Sequence, residues 1–259
     1  MAHASPSPLA PAPFPPSPPA PPAFAAPPAP ARPAALASEV PPAGLRRLWG
    51  SHVGKKALMA STGFFLAGWS LAHLAGNLLI FRGPGALEQY AAFLRKSGPL
   101  LWTVRGLLAF SIAVHVVAAL RLSLAARRAR PSRYVVRSHE AASFASRLMG
   151  AGGVFLLAFL GYHLAHVYAG FGHASFVDGD VTGNMARGLR EALAAIAYLG
   201  SALALGLHLS HGGWSGPKSL GLAGSSTRPF RRRGAIALGL AVGLGFAAVP
   251  LAIVAGWVR

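Results

Sequence analysis

The chain has 259 residues, 53% of them hydrophobic and only 12% charged, where a soluble domain carries about 25% charged residues. The apolar residues fall in long blocks, which points to a membrane protein and away from one large soluble core. The lack of cysteine excludes disulfides, thiolate metal ligands and iron–sulfur clusters held by this chain, and the net charge of +18 lies mainly in loops between the blocks, with little aromatic interleaving, so it reads as a topology signal and not as a nucleic-acid surface.

Residues 1–44 are a Pro/Ala tract with sixteen of the 22 prolines and two charged side chains, Arg32 and Glu39. Proline at this density removes backbone donors and breaks helices, so a disordered or polyproline-like cytoplasmic tail is expected. The tract has neither the basic start nor the continuous apolar stretch of a signal peptide. Residues 45–259 are expected to form one transmembrane domain. A basic lead-in with Arg46, Arg47, Lys55 and Lys56 precedes a first span at about 57–81, which Arg82-Gly83-Pro84-Gly85 ends. A short amphipathic connector, 86–96, leads through Ser97-Gly98-Pro99 to a second span at about 100–124. A basic loop (Arg127, Arg128, Arg130, Arg133, Arg137, Arg147) leads to a third at about 147–169. A polar, Gly-rich segment, 171–188, precedes a fourth at about 189–211. A loop with Lys218, Arg228, Arg231, Arg232 and Arg233 precedes a fifth at about 235–257. Each span is near the ~20 residues needed to cross the hydrocarbon.

The lead-in and the second and fourth loops are strongly basic, whereas the other two hold Glu88, Asp178, Asp180 and Glu191. The positive-inside rule then puts the N-terminus in the cytoplasm and, after five crossings, the C-terminus outside.

Two stretches repeat. Met59, Gly63, Phe65, Leu66, His73, Leu74 and Ala75 recur as Met149, Gly153, Phe155, Leu156, His163, Leu164 and Ala165, each 90 residues on; His115 and His208 lie 93 apart in the second and fourth spans. The first four spans therefore read as two copies of one helical hairpin in the same orientation.

Four histidines inside apolar spans demand an explanation, because polar groups in hydrocarbon are costly and mark function. At 1.5 Å of rise per residue, His73 and His163 lie roughly 24 Å from the cytoplasmic face, and His115 and His208 roughly 9–12 Å from it. Equal depths pair His73 with His163 and His115 with His208. Two imidazoles facing across a four-helix bundle are able to hold one haem iron axially on both sides, which leaves it an electron carrier. Ten glycines in or beside these helices (Gly63, Gly68, Gly76, Gly106, Gly150, Gly152, Gly153, Gly161, Gly200, Gly206) give close helix packing or room for a flat macrocycle. The plainer alternative is that each imidazole hydrogen-bonds a neighbouring helix. His166 and His211 each follow a candidate ligand by three residues, on nearly the same helix face, and read as alternative ligands or as partners of a haem propionate. Position 166 corresponds in the first copy to Gly76, which favours His163 as ligand. His3, His52, His139 and His173 are read as non-ligands.

The stretches GKKALMASTG with HLAGNLLIF, AVHVVAALRLSLAARRARP, SRLMGAGGVFLLAFLGYHLAH and LGLHLSHGGWSGPKSLGL cover about residues 49–222 in order. They resemble the single-chain, five-helix, di-haem cytochrome b subunit of succinate:quinone oxidoreductases, the succinate dehydrogenases and fumarate reductases. The tail 1–44 has no counterpart there. The resemblance implies an all-α membrane protein whose first four helices bind two non-covalent b-type haems through His73, His115, His163 and His208. It implies an anchor subunit in the bacterial inner membrane, with a FAD-containing flavoprotein and an iron–sulfur subunit docked on the cytoplasmic side and electrons exchanged with quinone, in such relatives often menaquinone. Glu88, Gln89 and Tyr90, near the outer end of the first span, and Trp214 are candidate quinone-site residues. Arg121 and Lys218 are candidate propionate partners, although basic residues at span ends also snorkel. Other readings are a cytochrome b of a quinone-linked hydrogenase or formate dehydrogenase, and a haem-free transporter with a histidine relay.

Overall fold

The structure, a computed structural model, describes residues 44–258 apart from 84, 130–143, 174, 223 and 225–226. The tail up to residue 43, with His3, and His139 therefore fall outside the described residues. Everything described belongs to one compact unit, and its regular structure is helical: α1 (Leu45–Gly50), α2 (His52–Asn77) continued by a 3-10 turn (Leu78–Arg82), α3 (Ala86–Lys96), α4 (Gly98–Arg128), α5 (Phe144–Ala169), α6 (Val181–Gly188), α7 (Ala192–Ser219) and α8 (Arg228–Val254). Five helices are long and apolar enough to cross a membrane: α2 with its 3-10 turn, α4, α5, α7 and α8. The protein is a multi-pass, all-helical membrane protein.

The expected helix ends move for identifiable reasons. Ser51 caps α2, its hydroxyl accepting from the Gly54 amide at 2.9 Å, so the helix starts five residues before the predicted 57 and takes in Lys55 and Lys56. Pro99 sits in the first turn of α4, where a missing N–H costs nothing; Gly98-Pro99 opens the helix instead of breaking it. In the same way Pro229 opens α8 at Arg228, so Arg231, Arg232 and Arg233 lie on the helix. The fourth span does not stop at His211. It continues through Gly212, Gly213 and Pro217 to Ser219; Gly213 and Gly216 are packing positions, since a Cβ on Gly213 would lie 3.3 Å from the Ala235 Cβ and one on Gly216 would lie 2.9 Å from the Phe64 ring, while Gly212 faces open space.

The segment 171–188, read from sequence as polar loop, contains a helix. Asp180 caps α6, accepting from the Gly183 amide at 2.9 Å and pairing with Arg187 at 2.8 Å. The Asn184 amide side chain bonds both polar groups of Val177, at 2.9 and 2.6 Å. Local side-chain bonding of this kind gives a polar stretch a fixed shape without an apolar face.

Around the bundle, α4 packs on α2, α2 on α7 and α7 on α5, while among the described residues α4 and α5 scarcely touch. α2 thus stands opposite α5, and α4 opposite α7. α8 lies outside this ring against α7, the most extensive helix pair, and touches α2. The α7–α8 crossing is set by glycine: a Cβ on Gly206 would lie 2.8 Å from the Gly239 carbonyl oxygen. Small residues at a crossing let helix backbones approach closely in lipid. At the end of the bundle that carries α3 and α6, Ile80, Leu87, Leu189, Val249 and Ile253 form a buried cluster, with Tyr90, Val181, Met185 and Tyr198 packed on it. We call this the connector end, and the opposite one, with the arginine-rich helix ends, the basic end.

Candidate functional site

The four histidines of the first four spans meet in two pairs across the bundle. His73 of α2 faces His163 of α5, ring centres 6.0 Å apart, near the connector end. His115 of α4 faces His208 of α7 at 6.2 Å, nearer the basic end. The planes in the two pairs are turned by 73° and 56°. A first-row metal–imidazole bond is about 2.0–2.1 Å long and the ring centre lies about 1.1 Å behind the nitrogen, so two imidazoles in line on one metal stand about 6.3 Å apart. Both spacings fit that requirement.

The contacts of the ring nitrogens leave Nε2 for a ligand in His115 and His163, and differ in the other two rings. His115 Nδ1 donates to the Met59 carbonyl at 2.9 Å, which fixes its proton there and leaves the Nε2 lone pair free. His163 Nδ1 lies 3.1 Å from the Tyr198 hydroxyl, leaving Nε2 likewise. His73 Nε2 lies 3.3 Å from the Asn77 side-chain amide, which makes its shorter bond, 3.1 Å, to the His73 carbonyl; an amide N–H there marks Nε2 as the lone-pair nitrogen. His208 Nδ1 is buried with no partner. Buried polar atoms are rarely left so.

Space beside the rings differs between the glycines. A Cβ on Gly63 would lie 3.2 Å from the His115 ring and one on Gly153 3.9 Å from the His208 ring, while Gly68, Gly106, Gly150, Gly152 and Gly161 face open space. Gly76, by contrast, is filled by the Tyr90 ring, 2.7 Å from a built Cβ, Gly200 meets Phe155 at 3.5 Å, and Gly206 belongs to the α7–α8 crossing. An apolar cleft of about 300 Å³, lined by Met149, Gly152, Phe155, Gly200, Leu203 and others, runs to His208. At the connector-end pair, Trp69 stacks on His73, Phe246 of α8 lies 5.7 Å from it, and Phe159 stacks on His163. Among the described residues no three His, Asp or Glu side chains gather closely enough to hold a bare metal ion. A haem iron takes its four in-plane bonds from the macrocycle, so two histidines suffice. The residues present fit a haem in each pair.

The accessory candidates separate into two groups. Glu88, on the first turn of α3, accepts from the Thr182 amide at 3.0 Å and so ties the first connector to the start of α6; its other oxygen is buried without a partner. Hydrogen bonding to Thr182 holds this carboxyl below the usual carboxylate range, so its contribution is present at neutral pH and fades as pH falls below that range. Gln89 is exposed and Tyr90 is packed over Gly76. Trp214 does not join these three: it lies towards the basic end, its indole N–H buried and unpartnered, with Lys218 3.8 Å over its ring and His211 6.4 Å away. Arg121 stacks over Trp49 at 5.5 Å. Replacing Glu88 by Ala removes the acceptor at the α6 start and is expected to lower thermal stability by about 1 kcal/mol, the usual worth of a helix cap; Glu88→Gln keeps an acceptor and should melt like the parent in the same detergent.

His166 is almost fully buried, 2% exposed. Its Nδ1 lies 2.9 Å from the Tyr198 hydroxyl, its Nε2 has no partner, and its ring lies 4.3 Å from that of His173. His173 also lines an open cavity of about 260 Å³ with Ser175, Arg187, Arg190 and Glu191. Sequence reasoning missed Tyr198, Asn77 and the packing role of His173. Tyr198 was within reach: it lies ten residues before His208 in a span otherwise nearly free of polar side chains, so its hydroxyl needs a partner inside the bundle.

No family model, curated protein or solved structure matches this chain. The class is therefore the one the helices define: a multi-pass helical membrane protein carrying two facing histidine pairs at different levels.

Proposed function

We propose that this chain is the membrane anchor and electron-transfer subunit of a succinate:quinone oxidoreductase, a succinate dehydrogenase or fumarate reductase. The observation that carries the electron-transfer reading is the pair of imidazole spacings, 6.0 and 6.2 Å, at equivalent positions of a duplicated hairpin. The resemblance of residues 49–222 supplies the enzyme class. His73 and His163 would hold one b-type haem, and His115 and His208 the other. When bound, each haem supplies a reversible one-electron couple.

The residues on the chain do the rest. Met59 holds His115 in the tautomer that presents Nε2, and Tyr198 engages Nδ1 of His163, which leaves its Nε2 for the iron. The aromatic rings at the connector-end pair exclude water. Lys218, Arg121 and His211 supply cations and donors towards propionates at the basic end. The proposed topology makes the basic end cytoplasmic, where the flavoprotein and iron–sulfur subunits dock, and the connector end the outer one. Quinone, by this reading menaquinone, exchanges electrons and protons with the chain, with Glu88, Gln89, Tyr90 and Trp214 as the candidate contacts. Glu88→Gln with unaltered quinol oxidation and parental stability removes Glu88 from that set.

The chain His163–Tyr198–His166–His173 favours a second reading, a haem-free transporter with a histidine relay, because it strings titratable groups from the bundle interior to a polar cavity. A dithionite-reduced spectrum of the purified chain decides between them. Two b-type components support the anchor reading, and a spectrum without b-type bands defeats it. Co-purification from native membranes with a flavoprotein and an iron–sulfur protein tests the enzyme class separately.

A further inference from the structure

The motif Gly161-Tyr162-His163-Leu164-Ala165-His166 offers two histidines one helical turn apart, and only one of them is able to ligate an iron shared with His73. A single hydroxyl sits between their ring nitrogens. Tyr198 of α7 lies 3.1 Å from His163 Nδ1 and 2.9 Å from His166 Nδ1. A phenol carries one proton and two lone pairs, and a neutral imidazole one N–H and one lone pair, so the chain bonds in one of two senses, and in either sense only one of the two imidazoles keeps a free Nε2 lone pair.

Nδ1 of His163 is turned to Tyr198, so Nε2 is the nitrogen left for a metal. Its lone pair is free only when the proton is on Nδ1, and that proton goes to the phenol oxygen. The phenol proton then goes to His166 Nδ1. His166 must in turn carry its own proton on Nε2, and its one lone pair, on Nδ1, is used by the phenol. The one hydroxyl that arms His163 as a ligand disarms His166. Sterics agree. His166 Nε2 faces Gly188, whose built Cβ would lie 2.7 Å from it, and the His173 ring, so a macrocycle there must first displace the His173 side chain.

The first hairpin lacks this device and has no use for it. Position 166 corresponds to Gly76, so no second histidine competes with His73. By the 93-residue offset, position 198 corresponds to Arg105, which donates to the Tyr168 hydroxyl at 3.0 Å. The tyrosine occurs in the copy that has the ambiguous motif.

We propose that Tyr198 is a positioning residue that selects His163 over His166 as the axial ligand at the connector end. The proposal rests on the haem reading above. The test uses the full purified chain with its haems, read by low-temperature electron paramagnetic resonance and redox titration, with the His115–His208 haem as internal control. In Tyr198→Phe the outer low-spin signal is expected to split into two species or to be lost, with the inner signal unchanged. Adding His166→Ala to that variant should restore a single outer species. An outer signal and midpoint potential unchanged in Tyr198→Phe overturn the proposal, as does a mixture or a loss that persists in the double variant. Should Tyr198→Phe lose both signals through misfolding, His166→Ala alone decides: a retained single outer signal supports selection of His163, and its loss makes His166 the ligand. A parent chain with no haem signal at all defeats the proposed function, a result distinct from any of these.

Discussion

If each histidine pair holds one haem, as proposed, replacing His163 by Ala is expected to remove the connector-end haem and leave the other, so that a reduced spectrum of the purified variant retains about half of the b-type absorbance. The two imidazole pairs share no residue: one joins α2 to α5, the other α4 to α7. His115 keeps its bond to the Met59 carbonyl whatever stands at 163. His166 is not expected to stand in for the missing ring, because its Nδ1 is bonded to Tyr198 and its Nε2 faces Gly188 and the His173 ring. The measurement is a pyridine haemochrome assay against protein concentration. Two haems retained, or none, would break the assignment of one pair to one haem.

Gly239→Leu is the second large effect. Any Cβ at 239 overlaps the Gly206 carbonyl oxygen and the Ser210 hydroxyl; the hydroxyl is able to turn away, but the carbonyl is backbone of helix α7 and cannot yield as a side chain would. Overpacking a well-packed site costs typically ~1–3 kcal/mol, and the backbone contact places this case at the upper end. The damage would spread beyond the crossing. α8 supplies Phe246 to the His73 ring and Val249 and Ile253 to the connector-end cluster. A fall of thermal stability in detergent, with loss of the connector-end haem before the other, is the expected result; parental melting would mean that the α7–α8 crossing does not depend on glycine.

Much of the membrane layout was legible in the sequence because lipid imposes one rule, an apolar block of fixed length for each crossing. The block ends were less legible. Gly212-Gly213 and Ser97-Gly98-Pro99 look like breaks to local reasoning, yet one lies inside α7 and the other opens α4, since a neighbouring helix decides whether a glycine ends a helix or seats one. α6 escaped because its stability comes from Asp180, Asn184 and Arg187 bonding to nearby backbone and to one another, a pattern with no hydrophobic period. At the site, the 90- and 93-residue offsets single out the four histidines that the structure brings together. Met59 and Tyr198 were not legible as hydrogen-bond partners, because they reach the rings from other helices; Asn77, four residues after His73 on the same helix face, was within reach of spacing alone. The ten glycines, uniform on the page, divide by what stands opposite each of them.

The buried cluster at the connector end gives the two histidine pairs different mechanical settings. There, Ile80, Leu87, Leu189, Val249 and Ile253 pack like the core of a small soluble domain and, with the Glu88–Thr182 bond, clamp both hairpins together through their loops. Such packing draws on the hydrophobic effect, which helices in lipid lack. Among the described residues the basic end has no comparable cluster. The bundle is therefore held like a beam fixed at one end: the His73–His163 spacing is braced by the protein itself, and the His115–His208 spacing is left to be stiffened by whatever binds the basic face.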